Sequence, residues 1–155
     1  MDKILSYEDI KNQVKEIKKQ GKLVLVGGCF DILHTGHIYF LNEAKKQGDI
    51  LLVMLEGDES IKARKGENRP VNPAKKRVDA LKKLQAVDYV LLLPYLKTDP
   101  EYFSLVKTLE PDIIAVTVGD PAVSKKVEQA KEVGGSVFEI KRLHEHSTTK
   151  LINKK

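Results

Sequence analysis

The chain has 155 residues, of which 41% are hydrophobic and 32% charged, and these proportions suit one globular domain with a single core. The formal net charge of +5 permits a polyanionic partner but equally suits nucleotides and sugar phosphates. The only cysteine, Cys29, excludes an internal disulfide, and no apolar run approaches the roughly 20 residues of a membrane span. The charged, amphipathic start does not resemble a signal peptide, so we expect a cytoplasmic protein without a membrane partner.

Helical and extended patterns alternate along the chain. Ile10, Val14 and Ile17 have helical spacing and predict a first helix over residues 7–20. Apolar runs without polar alternation predict buried strands over 22–28, 49–57, 88–94, 111–119 and 136–141. The other segments predict helices over 34–48, 73–87, 99–110, 121–135 and 147–155, with a short helix at the start of the loop 58–73. This alternation predicts an α/β fold with a doubly wound, parallel, five-stranded sheet between two helical layers.

The first predicted strand runs into "GGCFDILHTGH", residues 27–37. The glycine pair lets a ligand approach the backbone, and the next helix begins with free N–H groups and about half a positive charge. His34 and His37 lie one helical turn apart, with Gly36 leaving room between them. The stretch favours a phosphate site at the carboxyl edge of the sheet. Half of a zinc site and simple packing are the alternatives, although no third metal ligand has suitable spacing.

Three motifs in the same order resemble one protein family. "GCFDILHTGH" resembles the HxGH opening of the cytidylyltransferase-like nucleotidyltransferase superfamily, although class I aminoacyl-tRNA synthetases carry a similar HIGH motif. "KGENRPVNPAKKRVDALKKLQAVDYV", residues 65–90, resembles the adenylyltransferases of D-glycero-β-D-manno-heptose 1-phosphate. "STTKLI", residues 147–152, resembles a closing motif shared with glycerol-3-phosphate cytidylyltransferases. The resemblance covers nearly the whole chain and implies a Rossmann-like fold, with one nucleotidyltransferase domain over residues 1–155.

The resemblance implies a role for each residue that matches a family motif. The residues with an implied catalytic role, through contacts with nucleotide phosphates, are His34, His37 and Arg77. The residues with an implied nucleotide-binding role are Gly28, Cys29, Phe30, Thr35, Gly36, Asp120, Arg142, Ser147, Thr148 and Thr149. The residues implied to bind the phosphorylated acceptor are Asp31, Lys62, Lys65 and Arg69. The resemblance implies no role for His144 and His146.

The implied reaction is transfer of a nucleoside monophosphate, AMP from ATP in the matching branch, to a sugar phosphate such as a heptose 1-phosphate, with release of pyrophosphate. Mg²⁺ would bridge the nucleotide phosphates and keep several waters, without a dedicated set of protein ligands. Relatives are commonly dimers, so a homodimer is expected. CTP with glycerol 3-phosphate and an FAD synthetase-like reaction are the alternative activities.

A nucleotide- or RNA-binding module without turnover is the alternative outside enzymes. The few aromatic residues are not interleaved with basic ones, which disfavours a nucleic-acid partner. Two segments depart from the family pattern. "LEGDES" (55–60) stands where VNSDxS is common, and "VTVGDP" (116–121) stands where heptose-type enzymes have KGGDY. These departures leave the acceptor and the base open.

Overall fold

The computed structural model describes residues 2–143, in which strands and helices alternate as predicted. The strands are β1 (Ile4–Leu5), β2 (Leu23–Gly28), β3 (Ile50–Leu55), β4 (Tyr89–Leu92), β5 (Ile113–Thr117) and β6 (Ser136–Ile140). The helices are α1 (Ile10–Lys18), α2 (Thr35–Lys45), α3 (Asp58–Lys65), α4 (Ala74–Lys82), α5 (Asp99–Leu109) and α6 (Val123–Glu132). The predicted helix 147–155 lies outside the described residues.

The strands form one parallel sheet in the order β1-β4-β3-β2-β5-β6. Strand β2 is central, because β3 pairs with one of its edges and β5 with the other. The strand order therefore reverses at β2, which makes its carboxyl end the topological switch point of a doubly wound, Rossmann-like sheet. This confirms the predicted fold class.

The predicted count of five strands omits β1. This strand has two residues, with Ile4 opposite Val90 and Leu5 opposite Leu91 of β4. Two residues are too few to show the periodicity that identifies a strand from sequence. Their pairing with β4 is a tertiary interaction, which the sequence pattern does not reveal.

Helices cover both faces of the sheet, and alternate residues of β2 point to opposite cores. Leu23 and Leu25 belong to the apolar cluster under α1, α5 and α6. Val24 and Val26 belong to the cluster under α2 and α4. All four side chains are fully buried, and the residues of β2 become solvent-exposed only from Gly27 onward. Within residues 2–143, no helix is long and apolar enough to cross a membrane.

Candidate active site

Helix α2 begins at the carboxyl end of β2, and His34 caps it. The backbone of His34 is extended, and its Nδ1 accepts a hydrogen bond from the backbone N–H of Gly36 at 3.1 Å. A neutral imidazole that accepts at Nδ1 carries its proton on Nε2. His34 can therefore donate a hydrogen bond from Nε2 to an anion at the start of the helix, where the macrodipole also favours negative charge.

His37 lies beside His34, one turn into α2. The centroids of the two imidazole rings are 3.9 Å apart, and the Nδ1 atom of His37 lies 3.4 Å from the backbone nitrogen of His34. Burial lowers the pKa of His37 below its ordinary value of 6.5, and the neighbouring His34 and Lys65 lower it further, while the Ile32 backbone opposes them. His37 is therefore neutral at neutral pH, and like His34 it is suited to hydrogen bonding with a phosphate.

At two glycines of the motif, a neighbouring ring leaves no space for a side chain. A Cβ at Gly36 would lie 2.9 Å from Cε1 of His34, so a larger residue would displace the capping imidazole. A Cβ at Gly28 would lie 2.9 Å from Cε2 of Phe30, whose backbone has the left-handed φ of 42°. The Phe30 ring also meets His37 edge-on, with 5.5 Å between centroids. These glycines therefore shape the protein side of the site, in addition to leaving space for a ligand.

A cavity of about 230 Å³ opens beside the two histidines, on the α2 face of the sheet. Its walls come from the first turns of α2, the end of β5 and the segment after β6. Besides the histidines, polar groups come from Thr117, Lys141 and Arg142. Arg142 is one of the predicted nucleotide contacts. The rule that strand ends bind ligands leads to Thr117 as well, because Thr117 is the last residue of β5.

Arg77 lies in α4, and its side chain is 0% exposed. Its Nη1 donates to the carbonyl oxygens of Cys29 at 3.0 Å and Glu56 at 2.6 Å, and its Nε donates to that of Asn72 at 3.0 Å. Its Nη2 pairs with Asp58 at 2.6 Å. The guanidinium therefore donates its hydrogen bonds to protein groups and lines neither cavity of the site. Its catalytic role stays a prediction, since contact with a phosphate would require this set of bonds to open.

Asp31 and Arg69, both predicted to bind the acceptor, bind each other. Arg69 Nε donates to Asp31 Oδ2 at 3.2 Å, and the same carboxylate accepts from the backbone N–H groups of Val71 and Asn72 at 2.8 Å each. Burial alone would raise the pKa of Asp31, but these hydrogen bonds and the Arg69 charge hold it below the ordinary 3.8. Asp31 therefore anchors the loop between α3 and α4, and part of the Arg69 side chain stays exposed.

Basic side chains of α3 lie near residues 27–37, the stretch that contains the two histidines. Lys65 Nζ lies 3.3 Å from Sγ of Cys29, and its charge reaches His37. Lys62 is exposed on the same helix. Cys29, which has an implied nucleotide-binding role, is half-buried, and its carbonyl oxygen accepts a hydrogen bond from Arg77. The positive charge of Lys65 therefore lies close to the histidine pair.

Of the remaining predicted site residues, some lie within the described residues and others lie outside them. Thr35 is the first residue of α2 and is exposed. Asp120 accepts hydrogen bonds from the Ala122 N–H at 2.8 Å and from Lys126 Nζ at 2.7 Å, and these outweigh burial and lower its pKa below 3.8. Asp120 thus stabilises the start of α6. It lines neither the cavity of about 230 Å³ beside the histidines nor the larger cavity described next. Ser147, Thr148 and Thr149 lie outside the described residues.

A second, larger cavity of about 440 Å³ lies on the opposite face of the sheet, between α5 and α6. Gly27 and Gly28 form part of its lining, and Glu56, Arg64 and Tyr102 supply polar groups. Sequence analysis does not single out Glu56, Arg64 or Tyr102 as site residues. Glu56 directly follows β3 and could have been found by the strand-end rule, whereas Tyr102 could not, because nothing in the sequence places α5 over β2.

No three His, Cys, Asp or Glu side chains within residues 2–143 are grouped closely enough to hold a metal ion. A doubly wound sheet with paired histidines at a helix N-terminus beside its switch point belongs to the class of nucleotide-binding α/β proteins. The comparisons with known proteins agree with this class and narrow it.

The family model described as Cytidylyltransferase-like matches residues 25–154. The chain is 35% identical to a protein of Alcanivorax borkumensis and 40% identical to one of Helicobacter hepaticus, both named Bifunctional protein HldE, with 97% of this chain covered in each case. It spans only 31% and 30% of the lengths of these two relatives. The chain therefore belongs to the cytidylyltransferase-like family.

A solved structure supports the same fold. The lipopolysaccharide core biosynthesis protein from Thermoplasma volcanium GSS1 matches with a TM-score of 0.64 and 26% sequence identity. The match covers 79% of this chain and 96% of that one. The sheet and its helices are therefore shared with a protein whose full length is close to the matched region.

Proposed function

We propose that this protein transfers AMP from ATP to a sugar phosphate, such as a heptose 1-phosphate, and releases pyrophosphate. Membership of the family supports nucleotidyl transfer. The segment 65–90, which resembles heptose 1-phosphate adenylyltransferases, supports the adenylyl donor and the sugar acceptor. The relation of the Thermoplasma volcanium protein to lipopolysaccharide core biosynthesis also favours a sugar-bearing product.

The observation that carries the proposal is the pair of adjacent imidazoles, tilted 34° to each other, at the start of α2. Their rings are 3.9 Å apart, next to a cavity that Arg142 and Lys141 line. Histidine N–H donors, a helix N-terminus and nearby cations are the groups that stabilise negative charge building on phosphate oxygens. We assign the α- and β-phosphates of ATP to this point and the nucleoside to the cavity of about 230 Å³.

The proposed reaction needs no protein nucleophile, because the attacking group is already anionic. An oxygen of the acceptor phosphate forms a bond to the α-phosphorus of ATP, in line with the bond to the bridging oxygen that breaks. The electron pair of that bond leaves with pyrophosphate. His34 and His37 donate hydrogen bonds to the phosphate oxygens as charge shifts, and the fixed site supplies orientation. Lys62 and Lys65 approach from the α3 side, where the acceptor phosphate would lie.

We also propose Mg²⁺ as the cofactor, held mainly by the nucleotide phosphates and water. When bound, it would neutralise charge on the triphosphate. Within residues 2–143 no three His, Cys, Asp or Glu side chains are grouped, so the described residues fit a metal carried by the substrate better than a protein-bound metal. We further propose that the enzyme acts as a homodimer in the cytoplasm, where ATP is available. Family resemblance supports the dimer, and the single cysteine suits a reducing compartment.

Pyrophosphate release tests the proposal. The purified protein is incubated with Mg²⁺ and either ATP or CTP, together with heptose 1-phosphate, other sugar 1-phosphates or glycerol 3-phosphate. We expect release with ATP and a sugar 1-phosphate, and little release when either substrate is omitted. Release only with CTP and glycerol 3-phosphate would overturn the assigned donor and acceptor. RNA binding without pyrophosphate release for any pair would instead favour a binding module.

A further inference from the structure

The cavity of about 440 Å³ lies across β2 from the histidine pair. Because side chains alternate along a strand, Gly27 shares a face with Leu23 and Leu25, which is the face covered by α5 and α6. Gly27 is exposed there, and a Cβ added to it would meet nothing closer than Met54 Cε at 3.6 Å. Gly27 therefore leaves the carboxyl end of β2 accessible to a ligand from the α5–α6 face.

Glu56 is the most enclosed carboxylate in this cavity, with a side chain that is 13% exposed. It accepts hydrogen bonds from Arg64 Nε at 3.1 Å, from Arg64 Nη2, and from Ser60 Oγ at 2.9 Å. A carboxylate offers about four lone-pair sites, so Glu56 keeps accepting capacity. The Arg64 fork fixes its orientation.

Tyr102 supplies a hydroxyl from the α5 side of the same cavity. Burial raises the pKa of Tyr102, and the Glu56 charge raises it further, while Ser60 and Arg64 act against both. The phenol therefore keeps its proton at neutral pH and can donate as well as accept a hydrogen bond.

The charges in this cavity are paired within the protein. Lys125 Nζ lies 2.7 Å from Asp99 Oδ2, Lys126 Nζ lies 2.7 Å from Asp120 Oδ2, and Arg64 pairs with Glu56. Paired charges offer many donors and acceptors but little unbalanced charge. Such a lining suits an uncharged group with many hydroxyls better than a free phosphate, which would favour Lys62 and Lys65 of α3, since neither forms an ion pair within residues 2–143.

We propose that this cavity takes the hydroxyl-bearing part of the sugar phosphate acceptor and that Glu56, held by Arg64, accepts hydrogen bonds from its hydroxyl groups. The inference rests on the proposed function. In-line transfer requires the acceptor oxygen to approach the α-phosphorus from the side opposite the leaving pyrophosphate. With the histidines holding the phosphates on the α2 face, the acceptor comes across Gly27 from the α5–α6 face.

Steady-state kinetics with ATP and the active sugar 1-phosphate test this assignment. Glu56→Gln removes the carboxylate charge but keeps the shape, and Tyr102→Phe removes only a hydroxyl. We expect Glu56→Gln to raise the KM for the sugar phosphate about tenfold or more, as for a lost hydrogen bond to a charged group, with the KM for ATP changed less than about twofold. Glu128→Gln on exposed α6 is the control, because it makes the same charge change outside the cavity.

The Tyr102→Phe variant keeps the test decisive if Glu56→Gln fails to fold, and we expect it to raise the same KM about threefold to tenfold. Unchanged sugar phosphate KM values, or equal increases for ATP, would overturn the assignment. Calorimetric binding of the sugar 1-phosphate separates this inference from the proposed function. Binding that Glu56→Gln weakens, without pyrophosphate release by the wild type, would refute only the reaction. Absence of both binding and release would refute both.

Discussion

Arg77 and Asp58 form an ion pair of 2.6 Å in which the arginine is completely buried and the aspartate is partly exposed. Asp58 is the first residue of α3 and Arg77 lies in α4. The same guanidinium binds the carbonyls of Cys29 and Glu56, the residues that follow β2 and β3. One side chain thus ties together two strand ends and two helices around the candidate site.

Replacing Arg77 with Leu should lower the free energy of unfolding by about 2–4 kcal/mol, because buried carbonyl oxygens would lose their donors. Denaturant unfolding of both proteins measures this loss. Lys76→Leu is the matched control, since Lys76 is the exposed neighbour in α4. An unchanged stability together with a large loss of turnover would contradict the positioning role and favour the direct phosphate contact that the family resemblance implies.

Replacing His37 with Ala should lower kcat about 10²–10³-fold, by analogy with the loss of one preorganised hydrogen-bond donor. The rate of pyrophosphate release under saturating substrates measures this change. Asn42→Ala is the control, because Asn42 is exposed on the same helix and lines neither cavity. Turnover that stays at the wild-type level in a folded His37→Ala protein would refute the assigned role.

The lowered pKa of His37 predicts a loss of stability on mild acidification. Below its ordinary pKa of 6.5, the unfolded state binds a proton more readily than the folded state, so the free energy of unfolding decreases as the pH falls from that value. The lowered pKa values of Asp31 and Asp120 also reduce stability as the pH falls, mainly below about pH 5, and this loss is common to the wild type and a His37 variant. Denaturant unfolding between about pH 6.5 and about pH 4.5 should therefore show a smaller loss for His37→Gln than for the wild type. Identical losses would argue against a buried, neutral imidazole.

The two neighbouring glycines at the end of β2 should respond differently to Ala. Gly28→Ala places a Cβ 2.9 Å from the Phe30 ring and should cost about 1–3 kcal/mol of stability. Gly27→Ala meets no atom closer than 3.6 Å and should leave the free energy of unfolding within about 1 kcal/mol of the wild type. Thermal and denaturant unfolding of the pair measure this difference. Equal destabilisation would show that the Phe30 contact does not set the requirement for glycine.

Much of the fold follows from local sequence pattern. The central strands are uniformly apolar, and the predicted helix over 7–20 appears as Ile10–Lys18 because the same three residues, Ile10, Val14 and Ile17, form its buried face. The order of the strands could not be derived in this way, because pairing depends on contacts between distant residues. Strand β1 shows the limit most clearly.

The candidate site also combines features that follow from local sequence with features that depend on tertiary packing. His34, His37 and Gly36 are adjacent in sequence, so their juxtaposition follows from helix geometry. Arg77 was expected to contact a phosphate, and no local pattern indicates that it would be enclosed by the ends of two strands. Glu56 could have been found because it directly follows β3, whereas Tyr102 lines the same cavity only through the tertiary placement of α5, which no local pattern indicates.

The central claim, that the imidazoles of α2 hold a nucleoside triphosphate, is tested most directly by a crystal structure with Mg²⁺ and a non-hydrolysable ATP analogue. The account predicts α- or β-phosphate oxygens within hydrogen-bond distance, about 2.7–3.2 Å, of ring nitrogens of His34 and His37. A triphosphate bound away from the start of α2, or imidazoles turned toward the hydrophobic core in the complex, would contradict it.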